Sequence, residues 1–241
     1  MKNKFFYFIL ILSVNSVSAD VLHVAVAANF IKPMKILKRQ FEAESGHRVM
    51  LSVGATGQLY AQIKHGAPYH VFLAADTKRP QMLIRDAVAV ADSFFIYAIG
   101  KLVLWSPKGE SLRLLKSGNF RHLAIAKPKL APYGKAAKQA LIKLGLWHQV
   151  QGKLVQAHSI GQNYQFIGSG SAELGFVALS QVIQEAGSYW QVHNNFYRPI
   201  EQAGVILKHA KNNRAAQAFM AFLASPAISQ KIIEFGYMVR K

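Results

Sequence analysis

Apolar positions along the chain switch repeatedly between two periods. "VLHVAVAA" (Val21–Ala28) is a β-branched, mostly apolar run, the pattern of a buried strand. In the following "NFIKPMKILKRQFEAESG", Met34, Leu37 and Phe41 fall on one face of a helix. Asn29 is placed there to cap that helix, Gly46 to end it, and Pro33 lies in its first turn. "HRVMLSVG" reads as a second strand, "TGQLYAQIKHG" as a short helix with Leu59 and Ile63 on one face, and "YHVFLAAD" as a third strand ending at Asp76. "FFIYAIGKLVLWSP" is a long strand-like run interrupted at Gly100. "HLAIAKP" is a strand, "APYGKAAKQALIKLG" a helix, "SIGQNYQFIGSG" a short helix, and "AELGFVAL" and "QAGVILK" are strands. The tail "NNRAAQAFMAFLASPAISQKIIEFG" reads as two helices broken at Pro226. This alternation predicts an α/β fold with largely parallel sheets covered by helices. The pattern alone does not say whether the chain forms one lobe or two.

Composition narrows the class. The 241 residues are 51% hydrophobic, enough for a sizeable core, and there is no cysteine, so disulfides, thiolate metal sites and a Cys nucleophile are excluded. The N-terminal "MKNKFFYFILILSVNSVSAD" has Lys2 and Lys4, then an apolar run Phe5–Val14 too short to span a bilayer, then small residues at Val17 and Ala19. That predicts a signal peptide over residues 1–19, cut after Ala19, and an exported, soluble mature protein. The formal charge is +18, of which Lys2 and Lys4 are the only charges in residues 1–19, leaving +16 on the rest. The basic residues are scattered, as in Lys35, Lys38, Arg39, Lys64 and Lys78. They read as a basic solvated surface or as an attraction for an anionic partner.

Four helices start alike, in small and uncharged turns: "AANF" (Ala27–Phe30), "GATG" (Gly54–Gly57), "APYG" (Ala131–Gly134) and "HSIG" (His158–Gly161). A helix N-terminus presents unpaired N–H groups and partial positive charge. In open α/β sheets such turns sit beyond the carboxyl ends of the strands, where ligands bind. Asn29 or Thr56 alone reads first as an ordinary cap; four such starts in one α/β chain suggest an anion site. Competing chemistry is thin. "YGKAAKQA" lacks the rest of a P-loop, and no G-x-S-x-G or H-E-x-x-H motif occurs. Asp76 is the one suggestively placed carboxylate, as a cap or an orienting acceptor. A lone carboxylate does not make acid–base catalysis, so an enzyme is not expected.

Six segments in order, "AANF", "VGATGQLYAQIKHGAPYHVFLAAD", "FFIYAIGKLVLWSP", "PKLAPYGKAAKQALIKLGLW", "ELGFVALSQV" and "ASPAISQKIIEFGY", resemble the periplasmic molybdate-binding proteins, solute receptors of ABC importers. The resemblance runs from about Val21 to the C-terminus. It implies a two-lobed periplasmic binding protein of type II, with residues 20–99 and 200–241 in one lobe and 100–199 in the other, and a ligand cleft between them. It implies that Ala28, Asn29, Ala55, Thr56, Tyr133 and Ile160 surround the oxyanion through small side chains and N–H groups. No side chain would bind the metal directly, because molybdenum is held through its oxygens. It further implies no cofactor, molybdate or tungstate as ligand, a permease and an ATPase as partners, no nucleic acid, and a monomer. Where the family has a Ser-Ser pair this chain has Ala55-Thr56, and a tyrosine used in one branch is matched by Ala178. The alternatives are a receptor for sulfate or phosphate and, more remotely, an exported hydrolase or a basic nucleic-acid binder.

Overall fold

The structure, a computed structural model, describes residues 20–240. The expected signal peptide and its cleavage point after Ala19 lie outside them. The chain begins with β1 (Val21–Ala27), a 3-10 turn at Ala28–Phe30, α1 (Ile31–Ser45), β2 (Arg48–Gly54), α2 (Thr56–Lys64), β3 (Val71–Ala74), α3 (Lys78–Arg85) and β4 (Phe95–Gly100). It continues with β5 (Leu102–Ser106), α4 (Ser111–Ser117), β6 (Leu123–Ala126), α5 (Pro132–Lys143), α6 (Trp147–Val150), β7 (Leu154–Ala157), α7 (Ile160–Gly168), β8 (Leu174–Ala178), α8 (Leu179–Val182) and β9 (Ser188–Gln191). It closes with β10 (Ile200–Ile206), α9 (Arg214–Ala224) and α10 (Pro226–Glu234).

These strands make two five-stranded sheets, one to each lobe, ordered β2-β1-β3-β10-β4 and β7-β6-β8-β5-β9. In the first, β1 pairs in parallel with β2 and β3, while β10 runs antiparallel to β3 and β4. In the second, β6 is parallel to β7 and β8, and β5 is antiparallel to β8 and β9. The two sheets repeat one design, three parallel strands with an antiparallel strand beside them. The chain passes from the first sheet to the second at Lys101, between β4 and β5, and returns before β10. The run read as one interrupted strand is therefore two strands in different sheets, parted just beyond Gly100.

Burial follows the sequence periods. β3 is buried at all four positions, as expected of a strand covered on both faces. Pro33, Met34, Leu37 and Phe41 are the buried face of α1. Its entry differs from the expectation. Asn29 does not cap α1 but sits inside the 3-10 turn that precedes it, and Phe30 is the capping residue, with no side-chain bond. α3, "KRPQMLIR", escapes a reading by periodicity because only Pro80 and Leu83 are buried. Asp76 caps its first turn, its Oδ1 accepting the Arg79 N–H at 2.9 Å, and it also pairs with the Arg79 guanidinium.

The start of α5 lies against the end of β6. A Cβ built on Gly134 would stand 1.9 Å from the Ala126 carbonyl oxygen, so this approach requires glycine. Gly134→Ala is expected to cost about 2–3 kcal/mol in chemical denaturation, as backbone overpacking does. Gly152→Ala, with no atom within 4 Å of the added carbon, should change stability by less than about 0.5 kcal/mol.

Candidate ligand-binding site

The four small helix starts meet. Ala28 and Asn29 follow β1, Ala55 and Thr56 follow β2, Tyr133 is the second residue of α5, and Ile160 the first of α7. All six line one cavity of about 10 Å³, together with backbone from Gly54, Ala75 and Ala131. The first four belong to elements of the first sheet and the last two to elements of the second, so the cavity lies between the lobes. Among the described residues, no lysine, arginine, aspartate or glutamate lines it. Larger hollows lie elsewhere. One, of about 810 Å³, opens between the lobes with Lys78 and Arg79 on one side and Lys129, Lys135 and Lys138 on the other. Its chemistry is that of a basic approach, whereas the small cavity is where donors converge.

Donors are set up by occupying lone pairs from behind. The Thr56 hydroxyl accepts the Ala75 N–H at 3.0 Å, which leaves its own proton to give. The Tyr133 hydroxyl accepts the Gln202 side-chain amide at 3.3 Å and lies beside Tyr237 in the network beneath, so what Tyr133 offers the cavity is its first-turn N–H. Ala28, Asn29, Thr56 and Ile160 occupy first-turn positions, whose N–H groups lack an intrahelical acceptor. Ser159, which caps α7, accepts from Gln162 and leaves the Ile160 N–H alone. Ala55 contributes least, because its N–H leans toward Gln58 Oε1 at 3.3 Å.

Asn29 serves differently from its neighbours. Its side-chain amide donates to Gln202 Oε1 at 2.8 Å and to the Tyr237 hydroxyl at 3.1 Å, away from the cavity, and its Oδ1 is buried without a partner. Around it runs a buried polar network that no local motif announces. Tyr97 donates to Gln202 Oε1, Tyr237 donates to the Asn29 carbonyl, and Ser180 donates to Tyr237. Ser180 and Tyr133 belong to elements of the second sheet; Asn29 and Gln202 belong to the first. The network therefore bridges the lobes beneath the cavity. At the rim, Lys32 reaches the Gln181 carbonyl and Glu185, the Gly57 N–H bonds the Leu130 carbonyl at 2.9 Å, and Arg79 bonds the Lys129 carbonyl. The lobes are drawn together over the site. Burial pushes the Tyr133 hydroxyl well above its ordinary value, with nearby tyrosines adding to the effect, and pushes Tyr237 up to about 12.

Comparison with known proteins places this arrangement. A family model described as bacterial extracellular solute-binding protein matches residues 22–238. The chain belongs to that family. The molybdate-binding protein of Azotobacter vinelandii is 50% identical over 224 residues, 90% of this chain and 89% of its own length. That of Rhodobacter capsulatus is 44% identical over 222 residues, 89% of this chain and 86% of its own. The solved periplasmic molybdate-binding protein of A. vinelandii superposes with a TM-score of 0.88 and 41% identity in the structural alignment, over 91% of this chain and all of that one. Solute-binding proteins of this family are transport receptors and not enzymes, and they use no cofactor.

Thr56→Val should weaken binding of a tetrahedral dianion about 10- to 100-fold in calorimetry, the loss of one hydrogen bond to a charged group. Tyr133→Phe should cost about 1–3 kcal/mol of stability, because Gln202 Nε2 loses its acceptor. The raised tyrosines have a second consequence. An unfolded tyrosine titrates near about pH 10, below its folded value here, so the stability from burying it is complete below about pH 10 and is lost as pH rises further. Wild-type melting should accordingly hold steady from about pH 7.5 to about pH 9 and fall beyond about pH 10.

Proposed function

We propose that this protein is a periplasmic receptor that binds molybdate, and tungstate with it, in the interlobe cavity and delivers it to an ABC importer. The observation that carries this reading is a buried cavity lined by helix starts from both lobes, with first-turn N–H groups and the Thr56 hydroxyl as donors and, among the described residues, no ionic side chain. The identity to molybdate-binding proteins supports the choice of ligand. The oxyanion contacts are assigned to Ala28, Asn29, Ala55, Thr56, Tyr133 and Ile160, with Asn29 acting through its main-chain N–H. The moving bodies are residues 20–99 with 200–241, and residues 100–199. A cleaved signal peptide, a monomeric mature chain, and a membrane permease with its ATPase complete the reading.

The energetics suit a carrier. Burying a dianion strips its hydration, and each donor to a charged group returns about 1.5–3 kcal/mol. About five such bonds give on the order of 10 kcal/mol before the cost of closing the lobes, enough for micromolar binding at about −8 kcal/mol. An anion with its own O–H would leave that proton facing donors, an unpaired group costing about 1–3 kcal/mol. The site thus favours fully deprotonated tetrahedral dianions over hydrogen phosphate. Sulfate has the same charge, and the size of the cavity must separate it.

Calorimetry of the mature protein with molybdate, tungstate, sulfate and phosphate is the test. One site per chain for molybdate and tungstate, with little or no heat from the other two, is expected. Heat from phosphate alone, or from none of the four, rejects the assignment.

A further inference from the structure

Two glycines stand second in the helices that follow the edge strands of the two sheets. Gly57 comes after Thr56 in α2, behind β2, and Gly161 after Ile160 in α7, behind β7. Thr56 and Ile160 line the small cavity; the glycines do not. Neither glycine has a positive φ, so its backbone conformation does not call for glycine. A glycine inside a helix is otherwise a cost.

What calls for them is the other lobe. A Cβ built on Gly57 would stand 3.0 Å from the Leu130 carbonyl oxygen and 3.1 Å from the Leu130 Cα, both backbone atoms of the second lobe, and 2.9 Å from the Arg79 guanidinium. A Cβ on Gly161 would stand 3.3 Å from the Ala28 Cβ of the first lobe. Carbon atoms in contact sit about 3.5–4.0 Å apart. The two positions face across the cleft, one from each lobe. Gly134 differs, because its close neighbour is Ala126 of its own lobe.

At Gly57 the lobes are also bonded. Its N–H donates to the Leu130 carbonyl at 2.9 Å, and Arg79, paired with Asp76, donates to the Lys129 carbonyl at 3.0 Å. The turn that carries these carbonyls is braced within the second lobe, where the Leu130 and Ala131 N–H groups both bond the Lys127 carbonyl at 3.0 Å. A side chain at position 57 would press on that braced backbone, and parting the lobes relieves the pressure.

We propose that Gly57, with Gly161 as its counterpart, is a closure residue: its missing side chain lets the lobes meet over the guest, and a side chain there holds the cleft ajar without touching the guest. This deepens, and rests on, the oxyanion-receptor reading above. A guest held only by the closed form binds with its intrinsic Kd divided by the fraction of molecules able to close, so affinity falls although no contact to the anion is lost.

The test is molybdate calorimetry and ligand-free melting of wild type, Gly57→Ala, Gly57→Val and Gly161→Ala, with Gly152→Ala as control. Gly57→Val should weaken binding about tenfold or more, and the two closure-site alanines should weaken it in the same direction by less. Ligand-free melting of Gly57→Ala should hold or rise, since alanine suits a helix better than glycine. The Gly57→Val loss should persist in an Arg79→Ala background, because the Leu130 backbone and not the guanidinium resists the side chain. The chain has no cysteine, so spin labels at Gln81→Cys on α3 and Lys143→Cys on α5, both exposed, report the lobe separation. Molybdate-saturated Gly57→Val should show a longer label distance than saturated wild type. Wild-type affinity in Gly57→Val overturns the proposal. So does a loss of affinity with the label distance unchanged, or one that disappears with Arg79→Ala. Should Gly57→Val not fold, Gly57→Ala decides by the same readings. A wild type that binds no oxyanion defeats the receptor reading, and this inference with it; a wild type that binds molybdate alongside any overturning result defeats this inference only.

Discussion

A hydroxyl becomes a reliable donor only when its lone pairs are already engaged. That constraint organises the centre of this molecule. Thr56 is engaged by the Ala75 N–H and is left with a proton to give, while the Tyr133 hydroxyl is engaged by Gln202 and Tyr237 in the network beneath the cavity. Helix starts supply the other donors with no side chain at all, since first-turn N–H groups have no partner within the helix. Neutral donors hold an anion through fixed dipoles, and they add no opposite charge that would slow its release. The surplus of basic residues has another place. Lys78, Lys129, Lys135 and Lys138 stand around the cleft mouth, where a positive field raises the local concentration of an approaching anion.

The donors come from both lobes, so their convergence depends on how the lobes are joined. The two sheets repeat one design and exchange the chain at Lys101 and again before β10. β10 runs from that second crossing into the first sheet and carries Gln202 to the floor of the site. The long-range bonds among Asn29, Gln202, Tyr237 and Ser180 span more than a hundred residues of sequence in several cases, and they tie the same floor to both lobes. Rim contacts such as Lys32–Glu185 are partly exposed and worth about 1 kcal/mol or less. They suit a clasp that must reopen.

The strands and long helices were legible because their burial is periodic. Met34, Leu37 and Phe41, or the four buried positions of β3, state their surroundings within a few residues. The four cavity-lining turns were legible for the same reason, since a small residue between a strand and a helix is a local signal. The network beneath them was not. Gln202 is a single polar residue in an otherwise apolar strand, and its partners lie 69, 105 and 173 residues away. The one signal available was its position, a carboxamide where a buried strand calls for an apolar side chain. Asn29 looked like a helix cap because capping is the commonest use of asparagine before a helix. Tertiary partners took its amide instead. Gly100 announced an interruption, but only the structure gives the reason, a hydroxyl from the other lobe lying where a side chain would be.

The central claim is that neutral donors from both lobes hold the anion, with the basic residues remaining at the mouth. The most direct measurement is a crystal structure of the tungstate complex, with the metal located by anomalous scattering. The account predicts one peak between Thr56, Tyr133 and Ile160, with no lysine or arginine nitrogen within hydrogen-bonding distance of its oxygens. A peak among Lys78, Lys129 and Lys135 at the cleft mouth, with the inner cavity empty, would contradict it.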